Sequence, residues 1–331
     1  MTTCHDRVRR PAIAAAAIAA LLACAPVAIA ADEPAAAVSA SRPLTGNWQT
    51  LSNAMSGAAP VFTPQGFPRA PAPMLVQFLS PVAAAARNGI LYVVDLGHRQ
   101  ILRYDMARMA ISPFSNHVVS GPSALAVGPD LSLYVTDFAS GRVQHFSWDG
   151  RRLPELGQES VLRRPVAVVP DDAAGQVYVA DSLYNHVVVF SSLGHTITTL
   201  RSDESRSIES MARGPDGLYL VDRLSRQVVV LGLDGVDRYA FGSDTLKDPR
   251  AIVVDRFNRV FVSDDFDNTI KVFEDGELVA SVGGSGTAPG MFNRITHLSL
   301  DRNTLYVADS LNARIQFSQL STPVARRPVP K

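Results

Sequence analysis

The sequence predicts an all-β fold, a six-bladed β-propeller of four-stranded antiparallel blades that is closed by an N-terminal strand. The main observation is a motif of an aromatic residue, an aliphatic residue, a variable residue and an aspartate, which recurs six times, at residues 92–95, 134–137, 178–181, 219–222, 261–264 and 306–309. Successive aspartates are 42, 44, 41, 42 and 45 residues apart, which matches the length of one propeller blade. Turn residues interrupt the chain every few residues, and apolar residues alternate with period two, so a helical fold is excluded.

Each repeat contains the signals for four strands, here named a to d from the inside of the blade outwards. The second repeat shows them in order: an apolar run at 124–127 predicts strand a, and Gly128, Pro129 and Asp130 predict a turn into strand b. The motif itself is strand b, and the alternating run at 142–146 predicts strand c. Asp149 and Gly150 then form a hairpin signal that leads into strand d.

The N-terminus has the pattern of a secretory signal peptide at residues 1–30. Three arginines precede a charge-free apolar run at 12–30, which ends in small residues before Ala31. A periplasmic or secreted protein is therefore predicted, with cleavage after Ala30; a lipoprotein anchored through Cys24 is the alternative. Cys4 and Cys24 are the two cysteines of the chain, so cleavage after Ala30 leaves no thiol for disulfides or for cysteine-ligated zinc.

Composition and charge exclude several classes of function. Hydrophobic residues make up 47% of the chain and charged residues 19%, which is typical of a folded globular protein. Removing residues 1–30 takes away three of the 31 basic and one of the 31 acidic side chains, which leaves 28 and 30. Because this balance is neutral and nucleic-acid binding needs a basic surface, no nucleic-acid partner is expected. No second apolar stretch is long enough for a membrane span. The protein is expected to be a monomer.

The region outside the repeats is assigned by composition. Residues 31–73 are rich in alanine and proline and are interpreted as a linker, residues 74–320 as the propeller, and residues 321–331 as a flexible tail. The last repeat ends after strand c, so its blade lacks an outer strand. An unpaired edge exposes backbone donors and acceptors, and the apolar segment 74–79 is therefore predicted to supply the closing strand.

The last repeat resembles the NHL-repeat family. The resemblance rests on the run Val-Gly-Gly-Ser-Gly-Thr-Ala-Pro-Gly-Met-Phe-Asn-Arg at 282–294 and on the later Asn312, Arg314 and Ile315. The other repeats keep the aspartate, but only Arg142 agrees at the arginine position, where the remaining four have Gln100, His186, Gln227 and Thr269. The resemblance covers residues 74–320 and implies a six-bladed propeller.

Candidate ligand-binding residues come from an alignment of the six predicted strands a, which line the central channel of a propeller. The first aligned ring is Val82, Ser123, Val166, Glu209, Arg250 and Thr296, and the next is Ala83, Ala124, Ala167, Ser210, Ala251 and His297. Glu209, Arg250, Thr296 and His297 stand out from these small or apolar residues and are expected to converge at one mouth of the channel. Arg250 suits a carboxylate or a phosphate. An ion pair between Glu209 and Arg250 on the channel wall is the alternative.

The repeat aspartates are interpreted as structural, because a carboxylate at a strand end normally accepts hydrogen bonds from the following loop. They are Asp95, Asp137, Asp181, Asp222, Asp264 and Asp309. A zinc lyase site would need three histidines in the channel, and only His297 aligns with the channel wall. A lactonase-type metal site would find only one matching ligand, Glu209, among the aligned positions. No metal or other cofactor is therefore expected.

The function predicted from the sequence is that of an exported binding or scaffold propeller. It would hold an envelope protein, a peptide, a glycan or a small molecule at one rim of the channel. The alternative is a metal-assisted lyase or lactone hydrolase in the channel. Because the sequence lacks the full set of metal ligands of both enzyme classes, a protein without catalytic residues is favoured.

Overall fold

The computed structural model describes residues 44–56, 61–62, 68–69, 75–115, 120–157 and 160–322. The predicted signal peptide with Cys24, most of the region interpreted as a linker, and the tail beyond residue 322 lie outside these residues. The described part contains 28 strands and one 3-10 turn at Ser310–Asn312. No helix in it is long and apolar enough to cross a membrane.

The strands form six sheets of at least four strands, which are the predicted blades, and one short hairpin. Preceding the first blade are β1 (Gln49–Leu51), β2 (Asn53–Ser56), β3 (Val61–Phe62), β4 (Pro68–Arg69) and β5 (Leu75–Gln77). Blade 1 contains β6 (Pro81–Arg87), β7 (Ile90–Asp95), β8 (Gln100–Asp105) and β9 (Ala110–Pro113). Blade 2 contains β10 (Pro122–Val127), β11 (Leu133–Asp137), β12 (Arg142–Phe146) and β13 (Arg152–Leu156).

Blade 3 contains β14 (Pro165–Asp171), β15 (Gln176–Asp181), β16 (His186–Ser191) and β17 (Thr196–Leu200). Blade 4 contains β18 (Ile208–Gly214), β19 (Gly217–Asp222), β20 (Gln227–Leu231) and β21 (Asp237–Phe241). Blade 5 contains β22 (Pro249–Val254), β23 (Val260–Asp264), β24 (Thr269–Glu274) and β25 (Glu277–Gly283). Blade 6 contains β26 (Ile295–Asp301), β27 (Thr304–Asp309) and β28 (Arg314–Gln319), with β1 as its fourth strand.

The cores lie between neighbouring blades, which explains why strand b is apolar on both faces. In blade 1, Tyr92 and Val94 pack in the core shared with blade 2, whereas Leu91 and Val93 pack in the core shared with blade 6. Alternate side chains of a strand point to opposite faces, so an inner strand between two neighbours needs apolar residues at every position. The ring therefore stabilises each blade from both sides.

The closing strand is β1, and the prediction that residues 74–79 close the ring is wrong. Strand β1 pairs with β28 of blade 6, whereas β5 pairs with β2, which extends the outer edge of blade 1. The choice is explained by Trp48, whose ring packs edge-on against Phe292 at 5.3 Å between centroids. Gly290 leaves the space for this ring, since a Cβ there would lie 2.7 Å from Trp48. The propeller sheets thus begin before residue 74, inside the region interpreted as a linker.

The repeat aspartates tie together one face of the ring, here named the upper face. It consists of the b–c loops and the segments that lead into each strand a. The six carboxylates are at most 1% exposed. Asp181 accepts backbone N–H groups from Leu183 and Tyr184 in its own loop and from Arg163 and Arg164 before strand a. Such bonds fix each b–c loop against the entry to the inner strand, and so they hold the rim of the channel in place.

Candidate functional site

The upper mouth of the channel is a cavity of about 400 Å³ that is lined by the first residues of the strands a and by the b–c loops. All four residues selected from the sequence, Glu209, Arg250, Thr296 and His297, line it. They come from blades 4, 5 and 6 and lie together as the alignment predicts. Whether they bind a ligand stays a prediction.

A β-bulge at the start of every strand a positions the first ring. In blade 4 the register passes from Ile208 opposite Asp222 to Ser210 opposite Val221, so Glu209 has no partner in the ladder. The same shift leaves Thr296 unpaired in blade 6, and the shift in blade 5 spans Arg250. A bulge re-aims the side chain of its extra residue, and here it directs the ring into the mouth.

Arg250 is held by three carboxylates. Its Nη1 donates to Glu209 Oε1 at 3.1 Å, its Nη2 lies 3.5 Å from Asp248 Oδ2, and its Nε lies 3.2 Å from Asp265 Oδ2. The last contact is an ion pair whose angle does not satisfy a hydrogen bond, because Nε and Asp265 Oδ1 are both buried without a hydrogen-bond partner among the described residues. Arg223 completes the group by donating to Asp248 at 2.7 Å. The alternative interpretation of Arg250, a channel-wall ion pair, thus describes its present contacts.

Burial and charge act in opposite directions on Asp265. Burial raises the pKa of this carboxyl, the positive charge of Arg250 lowers it, and the nearby Asp248 raises it again, with a net increase above the ordinary value. At Arg223 the hydrogen bond with Asp248 raises the pKa of the guanidinium. The carboxylates of the mouth therefore depend on their arginine neighbours, since burial favours the neutral acid.

The cavity has an excess of positive charge. Its lining contains four arginines, Arg164, Arg223, Arg250 and Arg294, and two acidic residues, Glu209 and Asp265. Among the described residues, no side chain forms a hydrogen bond or a salt bridge with the guanidinium of Arg164 or Arg294, although the charge of Arg294 contributes to lowering the pKa of Asp265. Both residues are exposed and stand directly before a strand a. The sequence-based selection missed these two and Arg223; aligning the residue before each strand a, or after each repeat aspartate, would have found them.

His297 lies at the waist of the channel. The second aligned ring has alanine or serine in five blades, and His297 is the sixth member. It borders both the upper cavity and a second cavity of about 520 Å³ at the lower mouth. Burial lowers the pKa of this imidazole to about 4, against the effect of a hydrogen bond with the Ala84 backbone. The ring is therefore neutral at pH 7, and its Nδ1 has no partner among the described residues.

The remaining candidate, Thr296, and two histidines of the b–c loops have partners of their own or lie away from the cavity. Thr296 lines the mouth and donates its hydroxyl to the Ala308 carbonyl at 3.4 Å. His98 contacts the Gln77 carbonyl through Nε2 at 2.7 Å, and His186 is buried beside Tyr184; neither lines the mouth. Within the described ranges, no group of three or more histidine, cysteine or acidic residues could hold a metal ion.

Several solved structures are similar in fold to this chain at low sequence identity. Virginiamycin B lyase from Staphylococcus aureus has 11% identity and a TM-score of 0.56, over 73% of this chain and 95% of that one. A protein of unknown function from Bacteroides thetaiotaomicron has 16% identity and a TM-score of 0.64, over 83% and 76%. A chain of the nidogen/laminin complex has 15% identity and a TM-score of 0.54, over 70% and 92%.

These likenesses establish the fold and not a family or an activity, because one propeller architecture carries unrelated functions. No protein-family model matches the sequence, and no curated protein shows significant sequence similarity to it. The six-bladed all-β propeller predicted from the repeats is confirmed.

Proposed function

We propose that this protein is an exported binding module, of NHL-repeat type, that holds the anionic group of a ligand at the upper mouth of its channel. Export is supported by the signal-peptide pattern at residues 1–30, and the repeat type by the resemblance at 282–294. The anionic group is a carboxylate or a phosphate, because arginine presents a planar fork of donors that matches both.

The observation that carries the proposal is the pair Arg164 and Arg294. Both residues line the cavity, and neither forms a salt bridge within 4.0 Å in the described part of the chain, although the charge of Arg294 acts on Asp265 from farther away. Arg250 and Arg223, in contrast, are already neutralised by carboxylates. The unpaired arginines are therefore the groups that gain most from an anion, while Arg250 keeps the wall of the mouth in shape.

The form of the cavity also favours binding. Its volume of about 400 Å³ is within the range of small-molecule sites. The floor is formed by the buried, neutral His297, so the positive charge of the mouth comes from its arginines. A metal-assisted reaction needs a set of metal ligands, and no observation on the described residues favours one over simple binding.

The test is calorimetric titration of the purified mature protein with citrate and with pyrophosphate at near-physiological salt. The double variant Arg164→Gln/Arg294→Gln should bind at least tenfold more weakly, because a hydrogen bond to a charged group contributes about 1.5–3 kcal/mol. The matched control is Arg108→Gln/Arg151→Gln, which removes two exposed arginines from c–d turns on the opposite face. Equal affinities in all three proteins, or no anion binding by the wild type, would overturn the proposal.

A further inference from the structure

The upper face carries a ring of exposed apolar side chains, one from each blade, here named the apolar ring. Each member is the first or second residue after a repeat aspartate. The members and their exposed fractions are Leu96 42%, Phe138 47%, Leu183 65%, Leu224 71%, Phe266 65% and Leu311 63%. None of them belongs to a core between blades in the described part of the chain.

The loops hold these side chains outwards by fixed contacts. The N–H groups of Leu183 and Phe266 donate to the carboxylates of Asp181 and Asp264, which are themselves buried. The side chains are thus presented on ordered loops, so little conformational entropy of these loops is lost when a partner contacts them. Single exposed apolar residues are normal, but one in the equivalent b–c loop of all six blades is a regular surface feature, and such a feature favours a site of interaction.

The apolar ring surrounds the arginine-rich mouth. Phe138 itself lines the mouth, and the residues next to three other members, Ser182, Arg223 and Asp265, line it as well. The lower face has a different arrangement. Its exposed Met109, Trp148, Leu193 and Leu233 lie in c–d turns, and none of them lines the lower cavity. The lower cavity is also lined by three arginines, Arg87, Arg213 and Arg302. Among the described residues, however, only the upper face has a large exposed apolar side chain in the equivalent loop of every blade.

We propose that the upper face docks a second protein, which inserts an acidic side chain into the mouth and covers the apolar ring with its own apolar side chains. This inference rests on the proposed anion site and names the ligand as a polypeptide. A small ligand confined to the mouth leaves the outer members of the ring uncovered, whereas a folded loop can reach both. Arginine and large apolar residues at the centre of a patch are the composition of protein interfaces.

The concave form of the mouth argues for a protruding carboxylate. Arg164 and Arg294 are exposed, but they line a cavity of about 400 Å³. A loop that presents an aspartate or glutamate at its tip can enter this cavity and reach them, whereas a flat layer of lipid headgroups cannot fill it. Four of the six ring members are leucines, which favours packing of aliphatic side chains over stacking of nucleic-acid bases.

The test selects disulfide-closed twelve-residue peptides from a fully randomised displayed library on the immobilised mature protein. Enriched sequences should contain a central aspartate or glutamate flanked by leucine, phenylalanine or tryptophan. A synthetic peptide from this set should lose at least tenfold in affinity when its acidic residue becomes the amide. It should lose as much on the variant Leu224→Ser/Phe266→Ser, and should be unaffected by the control Trp148→Ser/Leu193→Ser, which changes exposed residues of c–d turns.

The arms of the experiment separate the two proposals. Citrate binding should persist in Leu224→Ser/Phe266→Ser, since the arginines are untouched. If citrate binds but no enriched peptide depends on both its acidic residue and the ring, the docking inference is wrong and the anion site stands. If neither binds, both are wrong. A third outcome would identify a lipid surface as the partner instead of a protein. In that case no enriched peptide depends on the ring, whereas the wild type sediments with vesicles that contain phosphatidylglycerol and Leu224→Ser/Phe266→Ser does not.

Discussion

Arg250 links three carboxylates at the upper mouth, and its removal tests how that cluster is stabilised. In Arg250→Ala, the carboxylates of Glu209, Asp248 and Asp265 remain and lose their shared cation. Asp265 is affected most, because its side chain is 13% exposed and its Oδ1 already lacks a hydrogen-bond partner among the described residues. We expect the variant to fold with a lower free energy of unfolding.

The magnitude follows from the burial of the group. Breaking a fully buried ion pair by removing one partner costs about 3–5 kcal/mol. The side chains here are 13–32% exposed, so water screens part of the interaction, and we expect a loss of about 2–3 kcal/mol at pH 7. For a domain of this size that corresponds to a melting temperature lower by about 4–12 °C.

The loss should depend on pH because of Asp265. Burial raises the pKa of this carboxyl in the folded state, so the folded protein holds the proton more tightly than the unfolded chain, and this contribution to stability is lost as pH rises. The charge of Arg250 opposes this effect, and Arg250→Ala raises the pKa further. The difference from wild type should therefore become smaller as the pH falls and Asp265 takes up its proton, and should increase towards pH 7.

Urea unfolding at pH 4.5 and 7.5, followed by tryptophan fluorescence, measures both quantities. Adding Asp265→Asn to Arg250→Ala should restore at least half of the loss at pH 7.5, because the buried carboxylate is then neutral. A loss below about 0.5 kcal/mol, or one that is equal at the two pH values, would refute the assignment of Arg250 as the counterion of Asp265.

Two further predictions concern the closing strand and the waist of the channel. Deleting residues 1–43 should leave the melting temperature nearly unchanged. Deleting residues 1–52 also removes Trp48 and β1, and it should lower the melting temperature by roughly 10 °C or more, because β28 of blade 6 then has an unpaired edge. Equal effects of the two deletions would contradict the assigned closure. His297 resists protonation in the folded state, where its pKa is about 4. The wild type should therefore lose about 2–3 kcal/mol of stability relative to His297→Gln as the pH falls from 7 to 4. Parallel pH profiles of the two proteins in urea unfolding would show that the imidazole is not protected from protonation.

The architecture was predictable from sequence because its causes are local and repeated. Period-two alternation, Asp-Gly turns and an aspartate at the end of each strand b act within a single blade, and six copies reinforce one interpretation. The convergence of Glu209, Arg250, Thr296 and His297 was predictable for the same reason, because equivalent positions of a repeat lie at equivalent positions of a ring.

The closing strand and the charge balance of the mouth were decided only by tertiary structure. The sequence predicted closure by the segment at 74–79 and placed 49–51 in a linker, whereas the contact of Trp48 with Phe292 over Gly290, far apart in sequence, selects 49–51. Likewise, the sequence contains Arg250 and Asp265 as separate charges, while their burial and pairing depend on packing between blades. The sequence by itself determined which side chains reach the channel, because that depends on the register of each repeat. The fold decided which of these charges are neutralised and which remain open, because pairing depends on distances between neighbouring blades.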